Sequence, residues 1–407
     1  MMKTGADHRK KLLLLGGSAQ QVIAIETAKR LGLATVLCDY LPDNPGQYHA
    51  DHFYLVSTTD QEAVLEVAEK EQIDGVIAYA SDPAAPTAAF IAERLGLPTN
   101  PLKSVGMLCN KDMFRRFLKE NGFPVPKSVG CICFEEALAA QECMSYPLIV
   151  KPVDSSGSKG VTVVRKTEDL SEAVQFALAF SRAGRIVVEE FIEKKHPYLI
   201  GGDIFVAEGK IIQWGLMNCH RDSTVNPLVP VGKSYPALLD PEDETKVRQI
   251  VQDLIDKAGI RFGAMNVELV LDGRGRVYLI DVGPRSGGNM IPDLLGMIFG
   301  CDVVEWSVRA AMGETIRPER THDCRFYATH NLHSAADGIL EQIRFDKEIE
   351  RFIVRKEIYK KPGDSVEVFS KASDALGILF LKFEDQETML KMLEEINEHI
   401  SIVLSHA

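Results

Sequence analysis

Gly263-Ala264-Met265-Asn266-Val267-Glu268-Leu269-Val270-Leu271 runs through Asp272-Gly273-Arg274-Gly275 and returns as Arg276-Val277-Tyr278-Leu279-Ile280-Asp281-Val282-Gly283-Pro284-Arg285-Ser286-Gly287-Gly288-Asn289. A glycine-rich turn between two apolar runs predicts an antiparallel hairpin with arms 261–271 and 276–281. Glu268 and Asp281 are acids in opposite arms of otherwise apolar strands, where an unpaired charge is costly. Two carboxylates brought together repel unless a cation sits between them, and hard oxygen donors favour Mg²⁺ or Mn²⁺. Arg285 lies four residues beyond Asp281, placed to meet negative charge on a substrate or a transferring phosphoryl group. Gly287 and Gly288 let a substrate approach the backbone closely. A pair of solvated edge acids is the plainer alternative.

The region between Asn110 and this hairpin reads as α+β. Residues 111–121 form an amphipathic helix closed by Gly122, with Pro124 and Pro126 preventing its continuation. Strands come in pairs, 146–152 with 161–165 and 203–207 with 210–216, the second pair joined across Glu208-Gly209; helices fall at 167–181 and 242–258. The first of these strands delivers Lys151 to the loop Ser155-Ser156-Gly157-Ser158-Lys159-Gly160. Serine and glycine let backbone N–H groups and hydroxyls converge on an anion, and Lys151 adds a point charge. The run Ile186-Val187-Val188-Glu189-Glu190-Phe191-Ile192 offers apolar faces, an acceptor and a backbone donor, as a purine ring requires.

The first hundred residues alternate strand (11–15, 34–38, 53–56, 75–79) with helix (20–31, 61–71, 86–95). That alternation predicts a doubly wound parallel sheet, with ligands at its strand ends. Gly16-Gly17-Ser18 lacks the third glycine of a dinucleotide fingerprint, and Asp39 alone does not replace it, so a nicotinamide oxidoreductase is disfavoured. After Gly313-Glu314 a shorter region holds strands at 325–334, 352–359, 366–369 and 377–383 and a closing helix at 386–399.

The 407 residues exceed what one core usually serves, so two to four domains are expected. With 46 Lys plus Arg against 58 Asp plus Glu, the net charge of −12 leaves no basic footprint for nucleic acid or an anionic membrane. The apolar run Leu12–Leu15 is too short for a signal peptide, which predicts a cytoplasmic protein. Eight scattered cysteines, with only Cys131 and Cys133 close together, read as reduced, packed thiols. His330-x-x-His333 lacks a Cys or carboxylate beside it and reads as packing.

Taken in order, Lys111, Lys151, the Ser/Gly loop, Glu189-Glu190-Phe191-Ile192, Glu268 and Asp281-x-x-Pro284-Arg285 resemble the ATP-grasp superfamily, over roughly residues 10–315. The chain looks closest to the carboxylate–amine ligases related to carbamoyl-phosphate synthase, biotin carboxylase and the L-amino acid ligases. The resemblance implies a pre-ATP-grasp Rossmann-like domain at 1–105, an ATP-grasp domain at 106–315 with a mobile lid at about 124–185, and a small α+β cap at 316–407. It implies ATP and Mg²⁺ (or Mn²⁺), with Lys111 and Lys151 on the α- and β-phosphates and Ser155, Ser156, Gly157, Ser158 and Gly160 in the loop over the triphosphate. Glu189 would accept from the adenine amino group and the backbone after Glu190, at Phe191 and Ile192, would frame the ring. Glu268 and Asp281 would hold the metal, and Arg285 would stabilise the acyl phosphate. The partners implied are a small-molecule carboxylate and an amine, with a homodimer as the candidate assembly.

The chain departs from the family pattern twice. Gly283 stands where the second metal motif, Glu-x-Asn-Pro-Arg, has Asn, leaving Asn266, Asn289 or water to substitute. The ribose-binding acid is not evident, with Glu193 and His196 as candidates. His220 borders the acceptor pocket in the resemblance. A ribotide or bicarbonate ligase is the rival reading, with Arg221 and Lys233 available to a ribotide phosphate. A passive nucleotide-binding protein is a second rival, disfavoured because catalytic acids are of little use to it.

Overall fold

The computed structural model describes residues 9–318 and 326–405. Strands β1 (Lys11–Leu15), β2 (Ala34–Asp39), β3 (His52–Leu55) and β4 (Gly75–Ile77) form a parallel sheet in the order β3-β2-β1-β4. All four leucines of β1 are buried because both faces of the sheet are covered. Leu13 and Leu15 pack with Val64 and Val67 of α2 (Gln61–Glu71) and Ala89 of α3 (Ala85–Leu95). Leu12 and Leu14 pack with Ala24 and Ile25, and with Val304 and Val308 from far along the chain. The doubly wound sheet read from the sequence is therefore present. The helix read at 20–31 is a 3₁₀ turn followed by α1 (Val22–Arg30).

Helices α4 (Leu102–Leu108) and α5 (Lys111–Glu120) lead to a four-stranded antiparallel sheet. It contains β5 (Ser128–Cys131), β6 (Leu148–Pro152), β7 (Thr162–Val164) and β8 (Ile186–Glu190) in the order β5-β8-β6-β7. Its core is closed by Ala137 and Ala140 of α6 (Phe134–Gln141) and by Ala173, Val174 and Ala177 of α7 (Leu170–Ala179). The expected pairing of β6 with β7 holds, and β8 lies between β5 and β6. The strand carrying Glu189 is thus central.

The largest sheet begins with β9 (Leu199–Ala207), β10 (Lys210–Arg221), β11 (Pro230–Tyr235), β12 (Gly263–Leu271), β13 (Val277–Gly283) and β14 (Phe326–Leu332). The hairpin turn between β9 and β10 places Glu208 (φ 51°) and Gly209 (φ 79°) both in left-handed conformation, as a type I′ turn demands. Helix α8 (Pro241–Ala258) is capped by Asp240, whose Oδ1 accepts from the Asp243 amide at 2.8 Å. Its Val247, Val251, Leu254 and Ile255 pack under Met265, Val267 and Leu269 of β12. Helices α9 (Ile291–Phe299) and α10 (Val303–Ala311) follow the hairpin, and α10 supplies the Val304 and Val308 that cover the parallel sheet.

The C-terminal region holds β15 (Gly338–Phe345), β16 (Ile353–Ile358), β17 (Ser365–Val366), β18 (Gly377–Phe383) and β19 (Ile400–Ser405). Two of these strands, β18 and β16, extend the large sheet beyond β14, in the order β13-β12-β9-β10-β11-β14-β18-β16, while β17-β15-β19 form a separate small sheet. The strand read as 325–334 is β14, with its first predicted residue outside the described ones. The closing helix read at 386–399 is two helices, Gln386–Glu394 and Ile396–His399. Among the described residues no helix is long and apolar enough to cross a membrane.

Candidate active site

A cavity of about 760 Å³ opens between the large sheet, the four-stranded sheet and the C-terminal ends of the parallel strands. That is ample for a nucleotide and a second small molecule. On its wall stand Lys111, Lys151, Ser155, Ser156, Gly157, Ser158, Glu189, Glu190, Phe191, Ile192, Glu268, Asp281, Arg285 and Gly288. The structure therefore brings together most of the residues singled out from the sequence.

The hairpin reading of the two acids holds in register, since Glu268 lies directly opposite Asp281 across β12 and β13. The next pair is Leu269 with Leu279, so Ile280 is an extra, bulged residue. Bulges re-aim side chains. Here Leu279 and Val282 remain in the core while Ile280 and Asp281 both reach the cavity wall. Carboxylates on directly opposed residues, whose Cβ atoms stand about 5 Å apart, repel one another unless a cation lies between them. Lys111 stands 3.4 Å from Asp281 and its amine also donates to the Ser155 carbonyl at 2.7 Å. Burial alone would raise the Asp281 pKa, but the charges of Lys111, Lys151, Arg115 and Arg285 bring it below the ordinary value. The acid therefore stays ionised, as a cation ligand must. Among the described residues no third His, Cys, Asp or Glu joins these two as a metal-binding set. Such a pair fits Mg²⁺, which takes one or two carboxylates and completes its shell with phosphate oxygens and water.

Glu189 is fully buried and shared by two cations. Its Oε2 lies 2.6 Å from Lys151 Nζ and its Oε1 2.8 Å from Arg115 Nε. Burial pushes the Lys151 ammonium down to about 8 against the opposing pull of Glu189. Arg115 also donates to the carbonyls of Leu279 (3.3 Å) and Ile280 (2.7 Å), tying α5 to the bulge. Sequence reading missed Arg115, although its i,i+4 spacing from Lys111 places both on one face of α5. The Phe191 amide, expected beside an adenine, donates instead to the Pro147 carbonyl at 3.0 Å. Isoleucines 149, 192 and 280 with Val270 supply the apolar wall there.

The loop after β6 is held in place by side chains. Ser155 Oγ donates to the Lys159 carbonyl (2.9 Å) and Ser158 Oγ to the Leu228 carbonyl (2.8 Å). Gly157 (φ 64°) and Ser158 (φ 60°) are both left-handed, turning the loop back over the cavity.

Four residues expected in the site lie off the cavity wall. Gly160 packs against Pro152 and Phe180. Gly287 donates its amide to the buried Asp203 carboxylate at 2.7 Å. His196 turns its Nδ1 toward the backbone of Tyr198. His220 bonds Ser234 Oγ at 2.8 Å through Nε2 and packs at a tilt against the Tyr198 ring, and burial lowers its pKa to about 4, so it is a neutral packed group. At the first glycine turn, the Gly17 amide donates to Asp39 Oδ2 at 2.6 Å. A protein carboxylate thus occupies the donor a dinucleotide phosphate would need. Asp82, which no motif contained, reaches the wall from the turn after β4 and binds Arg285.

Residues 110–319 match the family model described as the carbamoyl-phosphate synthase L chain, ATP binding domain, and residues 25–99 match the ATP-grasp N-terminal domain. A formate-dependent phosphoribosylglycinamide formyltransferase from Corynebacterium efficiens is 30% identical over 286 residues, 68% of this chain and 69% of the relative. Its counterpart from Wolinella succinogenes is 25% identical over 405 residues, 96% and 97% of the two chains. The crystal structure of an L-amino acid ligase from Bacillus licheniformis superposes with a TM-score of 0.81 at 22% identity, covering 98% of this chain and 99% of that one.

Proposed function

Because the chain belongs to the ATP-grasp family that includes the carbamoyl-phosphate synthase L chain ATP-binding domain, we propose that it is an ATP-dependent carboxylate–amine ligase. It activates a carboxylate as an acyl phosphate and condenses it with an amine, releasing ADP and phosphate. The observation that carries this reading is the Glu268–Asp281 pair gathered with Lys111, Lys151 and Arg285 on the wall of one cavity that the Ser155–Ser158 loop also lines.

A carboxylate is a poor electrophile, and moving the γ-phosphoryl group onto it creates a good leaving group. Lys111 and Lys151 hold the polyphosphate and offset the charge that develops during transfer. Glu268 and Asp281 would hold Mg²⁺, which would supply positive charge to offset that of the polyphosphate. The loop excludes water that would hydrolyse the acyl phosphate before the amine attacks. Ile149, Val270 and Ile280 seat the purine ring, while Glu189 fixes Lys151 and Arg115 beneath it.

A second reading has a specific observation behind it. Arg221 and Lys233 also stand on the cavity wall, where they suit a phosphorylated amine, and the relatives are named for phosphoribosylglycinamide. An ADP-release screen of the purified protein decides between them, using carboxylates (formate, amino acids, bicarbonate) paired with amino acids or amino ribotides. Turnover that requires two co-substrates supports the ligase, and the amine that works selects the reading. ADP release that needs bicarbonate alone, with no amine, would contradict both.

A further inference from the structure

The Arg285 guanidinium already has a protein partner. Its Nε donates to Asp82 Oδ1 at 2.7 Å, its Nη2 to Asp82 Oδ2, and its Nη1 to the Ser286 carbonyl at 3.1 Å. Three of its five N–H bonds are engaged, leaving one on each terminal nitrogen for a carboxylate or phosphoryl group. Asp82 lies in the turn after β4 of the parallel sheet, whereas Arg285 follows β13, 203 residues along the chain. Their side chains are only 21% and 13% exposed.

The same carboxylate presses on Gly283. A Cβ at that position would stand 2.3 Å from Asp82 Oδ1 and 3.1 Å from Arg285 Nε, so glycine is required while the pair is formed. Asp82, Gly283 and Arg285 share the wall that carries Glu268, Asp281 and Lys111.

We propose that Asp82 is a positioning residue: it fixes the plane of Arg285 over Gly283 and so makes the N-terminal unit part of the reaction centre. A free arginine side chain must give up rotamer freedom to meet a ligand, and the two-pronged bond from Asp82 removes that freedom before substrate arrives. This goes beyond the ligase reading but rests on it for the catalytic consequence, so its test has one arm that needs no turnover.

In that arm, ¹⁵N–¹H spectra of the purified chain follow the Arg285 Nε–H signal, assigned by its loss in Arg285→Lys. The signal is protected from solvent exchange in the wild type and loses protection in Asp82→Ala; equal protection in both would overturn the proposal whatever the activity. With a working substrate pair, Asp82→Ala lowers kcat by on the order of 100-fold with little change in the KM for ATP, and Asp82→Glu recovers part of the loss. Gly283→Ala displaces the same carboxylate, so the double variant falls no lower than the deeper single. Losses that multiply, or a lower Tm with kcat intact, would overturn it.

Discussion

At the scale of single residues, the site depends on one buried carboxylate shared between two cations. Lys151 and Arg115 both meet Glu189, and burial leaves the Lys151 ammonium with a pKa of about 8. A phosphate binds the ammonium form, so Mg·ATP affinity should be level below about pH 7 and fall about twofold by pH 8. It should then weaken above pH 8 by at most tenfold per pH unit, the limit for one linked proton. Glu189, Arg115 and Lys111 face this amine. Calorimetric titrations from pH 7 to 9 check this, with Lys151→Arg predicted to flatten the dependence; an unchanged slope in that variant would assign the proton elsewhere. Arg115 is 2% exposed and joins α5, β8 and β13. Arg115→Met leaves Glu189 half-paired in the interior and should cost about 3–5 kcal/mol in urea unfolding, with the Glu189→Gln double variant recovering much of it. A loss below about 1 kcal/mol would show that the pair is not holding these elements together.

At the scale of elements, the bulge at Ile280 and the loop at 155–160 do the work. The bulge adds one apolar side chain to the cavity wall without turning Asp281 away from Glu268. The loop hangs on Lys111 and Leu228 by single hydrogen bonds and should open and close on the microsecond-to-millisecond scale of such lids. Hydrogen exchange with and without Mg·ATP should show added protection at residues 155–160, and none would argue against a lid. Much of this scale was legible in the sequence. Helix Gln61–Glu71 was found to the residue because Asp60 caps it and the apolar spacing is regular. The hairpin was legible because its turn chemistry and apolar arms agree. The bulge was not, since one inserted residue leaves no local composition signal. Strands β15 and β19 were missed because they pair in a half-exposed sheet, where the alternation of polar and apolar residues is weak. The continuation of the large sheet through β14, β18 and β16 is a long-range pairing that no local pattern encodes.

At the scale of the whole molecule, the cavity is assembled from three sheets, and Asp82 with Arg285 marks where the first meets the largest. That contact was invisible in sequence because its partners are 203 residues apart, although the turn after a parallel strand is where ligands of such sheets bind. The order of lysines, loop and acids was legible because the lysines sit at the start of a helix or near the end of an apolar strand and each acid interrupts an apolar strand. Asp281→Asn should abolish product formation while leaving the unfolding midpoint near that of the wild type, because the side chain faces the cavity; turnover at the wild-type rate would remove Asp281 from the site. The central claim is that a carboxylate oxygen is phosphorylated on the way to the amide. The most direct measurement supplies the working carboxylate labelled with ¹⁸O on both oxygens, together with Mg·ATP and the amine, and weighs the phosphate released. An acyl phosphate requires one ¹⁸O in each phosphate formed, and unlabelled phosphate alongside labelled amide product would contradict the account.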